Sequence, residues 1–259
     1  NPSLRNITCI PQLEHVKFEM DKEIKGLGIV RFNRPESRDA LSPEMADSLV
    51  KLSNFLNESR PSDMRCIILT GSSEKSFSSG RDLKLSSQHD TEEKRYDYLM
   101  KCNDGVEAIN DIKVPTIACI TGAAFGWGVE VALACDIRVA SDEATLCLPE
   151  ASLAIFPGAG GTVRMPRIVG PAVAKYIIYT SKRFNGKEAK ELGVVNYSEE
   201  SAIMAMQKAK SIAKMICDNG PLGCRAAKTV INDQTDISLK EALSLSLERR
   251  IPLSHTNDF

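Results

Sequence analysis

Residues 117–161 read IACITGAAFGWGVEVALACDIRVASDEATLCLPEASLAIFPGAGG. The apolar run 117–120 predicts a strand, 121–128 a small-residue turn, 129–135 a helix and 137–140 a second strand. Strand, glycine turn, helix, strand is a βαβ unit with its turn at the carboxyl end of the first strand, where open α/β proteins bind ligands. The turn also opens the helix, so the first backbone N–H groups lack intrahelical partners and favour negative charge. Glu130 falls in that first helical turn inside an apolar run, and Glu150 follows a short apolar strand, 145–148. Two acids in apolar surroundings near an anion-accepting turn are the most informative feature of the chain.

Upstream, 15–20 and 27–32 predict two strands joined as a hairpin across 21–26. Ser42-Pro43-Glu44 marks a helix start, with a hydroxyl N-cap, proline at the first helical position and an acid in the first turn. Met45, Leu49, Leu52, Phe55 and Leu56 then recur at helical spacing. A strand, 66–70, ends at Gly71, and residues 71–83 (GSSEKSFSSGRDL) form a Ser- and Gly-rich loop. The polar segment 84–94 reads as solvent-facing, and 92–112 as a helix with Leu99, Val106 and Ile109 on one side. Beyond Gly161 the strands are expected to give out, leaving helices over 171–181, 187–192, 201–217, 221–232 and 238–250. The expected organisation is an α/β core, 1–185, followed by a helical region, 186–259.

The totals narrow the function classes. The chain has 259 residues, 42% hydrophobic and 26% charged, enough for one large core. Its 33 basic and 34 acidic residues give a net charge of −1, which supplies no general field for nucleic acid. No apolar run reaches the roughly 20 residues that span a bilayer. Residues 1–11 show neither a signal h-region nor an initiator Met, so any targeting segment is expected to lie outside this sequence. A further C-terminal element is likewise expected beyond Phe259. Eight cysteines, at 9, 66, 102, 119, 135, 147, 217 and 224, form no Cys-x-x-Cys pair, and several lie in apolar runs, as reduced thiols do. Only His15, His89 and His255 are present, each alone, which argues against a metal site and against Ser-His or Cys-His nucleophilic chemistry.

Ser78-Ser79-Gly80 and Gly126-Trp127-Gly128 each follow a predicted strand. If those strands are neighbours, one N–H from each turn would converge on a single oxygen, and a fixed donor to a developing oxyanion contributes about 3–4 kcal/mol. Either turn alone is better explained as a tight chain reversal. Glu130 alone would complement the helix dipole, and Glu150 alone would be a loop acid. Together, facing one pocket, two such acids would hold a water and divide acid and base duties.

The segments FSSGRDL (77–83), GAAFGWGVEVALACDIRVA (122–140), LPE (148–150) and IFPGAGGTVRMPR (155–167) resemble the enoyl-CoA hydratase/isomerase (crotonase) superfamily, as do NRPESRDALS (33–42) and GKEAKELGVV (186–195). The resemblance runs in the family's order from residue 16 to the end, and is nearest to hydratases of short-chain or methylglutaconyl-type thioesters. It implies an α/β fold, the ClpP/crotonase-like spiral of ββα units with a C-terminal helical trimerisation region, assembled as a trimer or a dimer of trimers.

The implied activity is a lyase reaction, addition of water to a 2-enoyl-CoA in fatty-acid or branched-chain amino-acid degradation. Glu130 and Glu150 would be the catalytic acids, and the backbone N–H groups of Ser79 and Trp127 the oxyanion hole. Ser37, Arg38, Ala40, Ser79, Gly80, Arg81, Asp82, Leu83, Lys84 and Gly126 would surround the acyl-CoA, with Arg38 and Lys84 facing phosphate and Asp82 holding its own loop. No cofactor is implied, because coenzyme A is part of the substrate, and a mitochondrial matrix setting is expected ahead of cytosol or peroxisome. Trp127 and Arg81 depart from the family's small residues: the indole is expected to restrict the acyl chain, and the guanidinium to favour a second carboxylate. The rivals are isomerisation or decarboxylation on the same scaffold, and a non-enzymatic acyl-CoA- or RNA-binding protein.

Overall fold

A computed structural model of the chain describes residues 10–59, 63–86 and 91–256. The chain opens with β1 (Val16–Met20), β2 (Leu27–Phe32), α1 (Pro43–Glu58), β3 (Cys66–Thr70), β4 (Ser76–Ser78), α2 (Leu83–Ser86) and α3 (Glu92–Asn110). The central unit is β5 (Thr116–Ile120), β6 (Ala123–Phe125), α4 (Trp127–Ala134), β7 (Ile137–Ser141) and β8 (Thr145–Cys147). It is followed by α5 (Gly161–Val169), α6 (Pro171–Thr180), β9 (Phe184–Asn185), α7 (Gly186–Glu191) and β10 (Tyr197–Glu199). Three helices close the chain: α8 (Ala202–Asp218), α9 (Pro221–Asp233) and α10 (Leu239–Arg250).

The strands form two sheets, one of six strands in the order β1-β2-β3-β5-β7-β10 and one of four in the order β4-β6-β8-β9. Among the described strands only β1–β2 and β8–β9 pair antiparallel. Parallel strands covered on both faces read as continuous apolar runs, and β3 and β5 are buried at every residue. Their alternate side chains serve two cores. Ile67 and Leu69 face the larger core with Leu49 and Leu52 of α1 and Val106 of α3, while Cys66 and Ile68 face Ala209, Ile212 and Ala213 of α8. Removing the Leu49 side chain to Ala would cost about 2–5 kcal/mol.

The helix starts form as the sequence predicts. Ser42 Oγ accepts from Met45 N at 3.2 Å, with Pro43 at the first position of α1. Two strand expectations need correction. Strands do not give out after Gly161, because β10 pairs with β7 at the edge of the large sheet and β9 pairs with β8. The loop 71–83 and the turn 121–128 each contain a three-residue strand, β4 and β6. Gly161–Val169 is also a helix, despite Pro166 within it.

Candidate active site

Strands β4 and β6 lie side by side and parallel, with Ser78 opposite Ala124. Their carboxyl ends therefore emerge together, and the two glycine turns touch. A Cβ on Gly80 would lie 2.6 Å from the Phe125 carbonyl oxygen and 3.7 Å from Trp127 N. Gly80, at φ +96, has a backbone conformation that a side chain would strain.

The first expected oxyanion donor is corrected by this turn. Ser79 N–H donates to the Arg38 carbonyl at 2.9 Å, and Ser79 Oγ donates to the Ser37 carbonyl at 3.0 Å, so its backbone donor is taken. The next exposed donor is at Arg81, which bridges Leu41 in parallel: Leu41 N–H donates to Gly80 O, and Asp82 N–H to Leu41 O. In such a bridge the residue between those two bonds directs its own N–H away from the partner strand. Trp127 is the first residue of α4, after Gly126 as N-cap with no side-chain cap. Among the described residues, neither Arg81 N–H nor Trp127 N–H has a hydrogen-bond partner.

The two carboxylates reach the same place from different elements. Glu130 is 3% exposed, in the first turn of α4, and its Oε1 accepts from Ala159 N at 2.8 Å and Gly161 N at 2.9 Å. Burial pushes its carboxyl up to about 7, against those two donors, and the charge of Glu150 adds to the rise. Glu150 begins a 3-10 turn, Glu150–Leu153, that closes on Ala154 in the left-handed region. Burial raises its carboxyl as well, with the charge of Arg81 pulling it back. Its Oε2 is buried and has no hydrogen-bond partner among the described residues.

A cavity of about 680 Å³ joins these groups, lined by Ser79, Gly80, Arg81, Gly126, Trp127, Glu130 and Glu150 among others. Cys102 also lines it, but burial holds its thiol up to about 12, so it is a neutral wall rather than a nucleophile. Among the described residues no group of His, Cys, Asp and Glu is placed to hold a metal ion, and no helix is long and apolar enough to cross a membrane.

The remaining expected residues lie around the cavity rather than in its wall. Ser37, Arg38 and Ala40 brace the donor loop through backbone carbonyls: Arg38 O accepts from Ser76 Oγ at 2.8 Å, and Ala40 O from Arg34 Nη1 at 2.7 Å. The Arg38 side chain is exposed. Asp82 holds its loop, accepting from Lys84 N at 3.1 Å and pairing with Arg34 at 3.1 Å. Leu83 and Lys84 follow it in α2, with Lys84 exposed. The Trp127 indole packs 5.8 Å from Phe32, centroid to centroid, and donates to Cys102 O at 2.9 Å, so it is a core side chain as well as a cavity wall. Tyr98 and Leu99 of α3, together with Ile155 and Phe156, also line the cavity. The sequence assigns none of these a role: Leu99 reads as one face of the helix 92–112, and Ile155 and Phe156 as part of a family segment without a stated function.

Comparison with known proteins identifies the family. Residues 22–258 match the profile of the enoyl-CoA hydratase/isomerase family. The chain is 35% identical over 230 residues to a short-chain-enoyl-CoA hydratase of Clostridium acetobutylicum, covering 88% of this chain and 86% of that protein. It is 34% identical over 229 residues to the mitochondrial methylglutaconyl-CoA hydratase of Homo sapiens, covering 87% and 67%. Among solved structures, an enoyl-CoA hydratase from Bacillus anthracis superposes with a TM-score of 0.88 at 34% identity, covering 94% of this chain and 92% of the other. Fold, paired glycine turns and sequence profile together show that this chain belongs to the enoyl-CoA hydratase/isomerase family, with the crotonase fold.

Proposed function

We propose that the protein adds water across the double bond of a 2-enoyl-CoA thioester. The observation that carries the proposal is the convergence of two raised carboxyls, one buried and one half-buried, and two unpaired backbone N–H groups on one cavity. The thioester oxygen would lie between Arg81 N–H and Trp127 N–H, where fixed donors favour the enolate over the ground-state carbonyl. Water held by the two glutamates attacks the β-carbon. One carboxylate takes its proton, the π electrons move through the α-carbon onto the thioester oxygen, and the other carboxyl returns a proton to the α-carbon. With one water between them, the glutamates titrate as a pair rather than as two independent groups. The chemistry needs no metal or other cofactor.

Family members commonly form oligomers, and a trimer or a pair of trimers is proposed here on the exposed apolar stripe of α10. A reducing compartment such as the mitochondrial matrix suits the seven described cysteines, all of them free thiols.

The test is loss of the conjugated-thioester absorbance of crotonyl-CoA. Glu130→Gln and Glu150→Gln are each expected to lower kcat by about 10²–10⁴-fold, the range of a positioned acid or base. Loss of activity in only one variant would overturn the shared-water mechanism, and a wild type without activity on crotonyl-CoA would favour isomerisation or decarboxylation, which share the oxyanion donors. Binding of acyl-CoA without any turnover would make this a non-enzymatic member.

A further inference from the structure

Arg81 supplies more than its backbone donor. Its side chain lines the cavity that holds Glu130 and Glu150, and its guanidinium carbon lies 6.0 Å from the centroid of the Tyr98 ring. Tyr98 is 4% exposed, on α3, so this cation rests against a fixed aromatic wall. Two other arginines are paired, Arg34 with Asp82 and Arg164 with Glu107, while Arg95 of α3 shares the cavity wall with Arg81. Among the described residues the Arg81 guanidinium has neither an ion pair nor a hydrogen bond, although Glu150 is close enough to feel its charge. Much of the remaining wall is apolar, including Leu99, Cys102, Leu153, Ile155 and Phe156, with Arg95 and Asn103 of α3 its polar members on that side.

A hydrocarbon acyl chain filling this cavity would strip water from an unpaired guanidinium and return nothing, a desolvation cost that opposes binding. A carboxylate at the end of a short acyl chain would instead meet the guanidinium fork with two acceptor oxygens. The same cation would screen that carboxylate from Glu150. We propose that Arg81 selects a 2-enoyl thioester whose acyl chain ends in a carboxylate. The proposal rests on the hydratase reading for the thioester end and adds the class of acyl group.

Glutaryl-CoA and butyryl-CoA test it directly, because neither has a double bond to hydrate and both carry the same coenzyme. By titration calorimetry the wild-type chain is expected to bind glutaryl-CoA roughly tenfold to hundredfold more tightly than butyryl-CoA, the range of a charge-assisted hydrogen bond. Arg81→Met should abolish the preference, and Arg81→Lys should keep part of it, retaining the charge without the fork. Equal binding of both ligands by wild type overturns the proposal. So does an equal loss of both in Arg81→Met, which would assign the cation to the coenzyme phosphates. Rates on glutaconyl-CoA and crotonyl-CoA separate the two readings. A binding preference with hydration of neither sinks the hydratase and leaves charge selection standing; hydration that prefers crotonyl-CoA, with no sensitivity to Arg81→Met, does the reverse. If Arg81→Met fails to fold by circular dichroism, the wild-type preference and Arg81→Lys still decide the matter.

Discussion

A Cβ on Gly126 would lie 2.7 Å from Oε1 of Glu150. The turn that opens α4 and the carboxylate that follows β8 are thus packed against each other with no room for a methyl group. Gly126 also has φ +49 and ψ −116, and its N–H donates to Cys147 O at 2.9 Å, tying the same turn to β8. Gly126→Ala should therefore displace Glu150 and strain the turn by about 1–3 kcal/mol. Hydration of crotonyl-CoA is expected to fall about a hundredfold in kcat, the scale of a misplaced reacting group. Gly223→Ala is the contrast: a Cβ there meets nothing within 4 Å in α9, and the exposed change should stabilise the chain by up to about 1 kcal/mol. Urea denaturation of both variants, beside steady-state rates, would show whether Gly126 matters for the reason given. An unaltered kcat in Gly126→Ala would refute it.

The Glu130 carboxyl makes stability depend on pH in a definite direction. Its folded value is raised from 4.5 to about 7, mainly by burial. Between those two values the native state keeps a proton that the unfolded chain has lost, so the contribution is fully present below 4.5 and is lost as pH rises through 7. Unfolding free energy should thus fall by about 3 kcal/mol across that window relative to Glu130→Gln, which has no proton to lose. Parallel pH dependences for the two proteins would contradict the buried carboxyl. The same proton should give kcat/KM a descending limb near pH 7, absent when crotonyl-CoA is replaced by a ligand that reports binding alone.

How far the sequence reveals this molecule depends on what makes each element form. β3 is a five-residue apolar run and α1 carries its own cap, so both are local and both are read to within a residue. β4 and β6 are not local: Ser76–Ser78 and Ala123–Phe125 are too short to stand out from the loops around them, and they become strands by pairing, β4 with β6 and β6 also with β8. β10, Tyr197–Glu199, is likewise made by its partner β7. The acids Glu130 and Glu150 are legible because charge in an apolar run is conspicuous. The backbone donor proposed here for the oxyanion is not, because at the turn where Gly80 takes a positive φ it is Ser79 N–H that donates to Arg38 and Arg81 N–H that is left for the cavity. A reversal of backbone direction at a single glycine has no signature beyond the glycine itself.

Trp127 is expected from sequence to narrow the acyl site, and the structure gives it a second duty. Its indole fills the space between Phe32 and α3, where a Cβ on Gly105 would already come within 3.4 Å of the ring. Trp127→Gly would therefore open a large core cavity and cost more than about 3 kcal/mol, so it would report collapse rather than chain length. Trp127→Phe is the informative change. It removes the Nε1–H donor to Cys102 O and should cost about 1 kcal/mol in urea denaturation. With the backbone donor retained, the rates on crotonyl-CoA and on longer 2-enoyl-CoA thioesters should shift toward the longer chains. A stability unchanged within error would mean that the indole hydrogen bond contributes nothing.

Leu239, Leu243, Leu247 and Ile251 are 77%, 63%, 59% and 55% exposed and recur every fourth residue along α10 and the turn after it. Scattered surface leucines are ordinary, but a stripe at this spacing is one face of a helix, and α10 already turns its other face inward through Ala242. Each such side chain gains about 1.5–3 kcal/mol when buried, enough in a symmetric assembly to hold subunits together. Sedimentation should therefore find the chain at a multiple of its 28.4 kDa mass. Leu243→Asp with Leu247→Asp places two charges on the stripe and should yield the monomer with an unchanged circular dichroism spectrum. A wild-type chain that sediments at its own mass would remove the assembly altogether, and an oligomer that survives both aspartates would move its interface off α10.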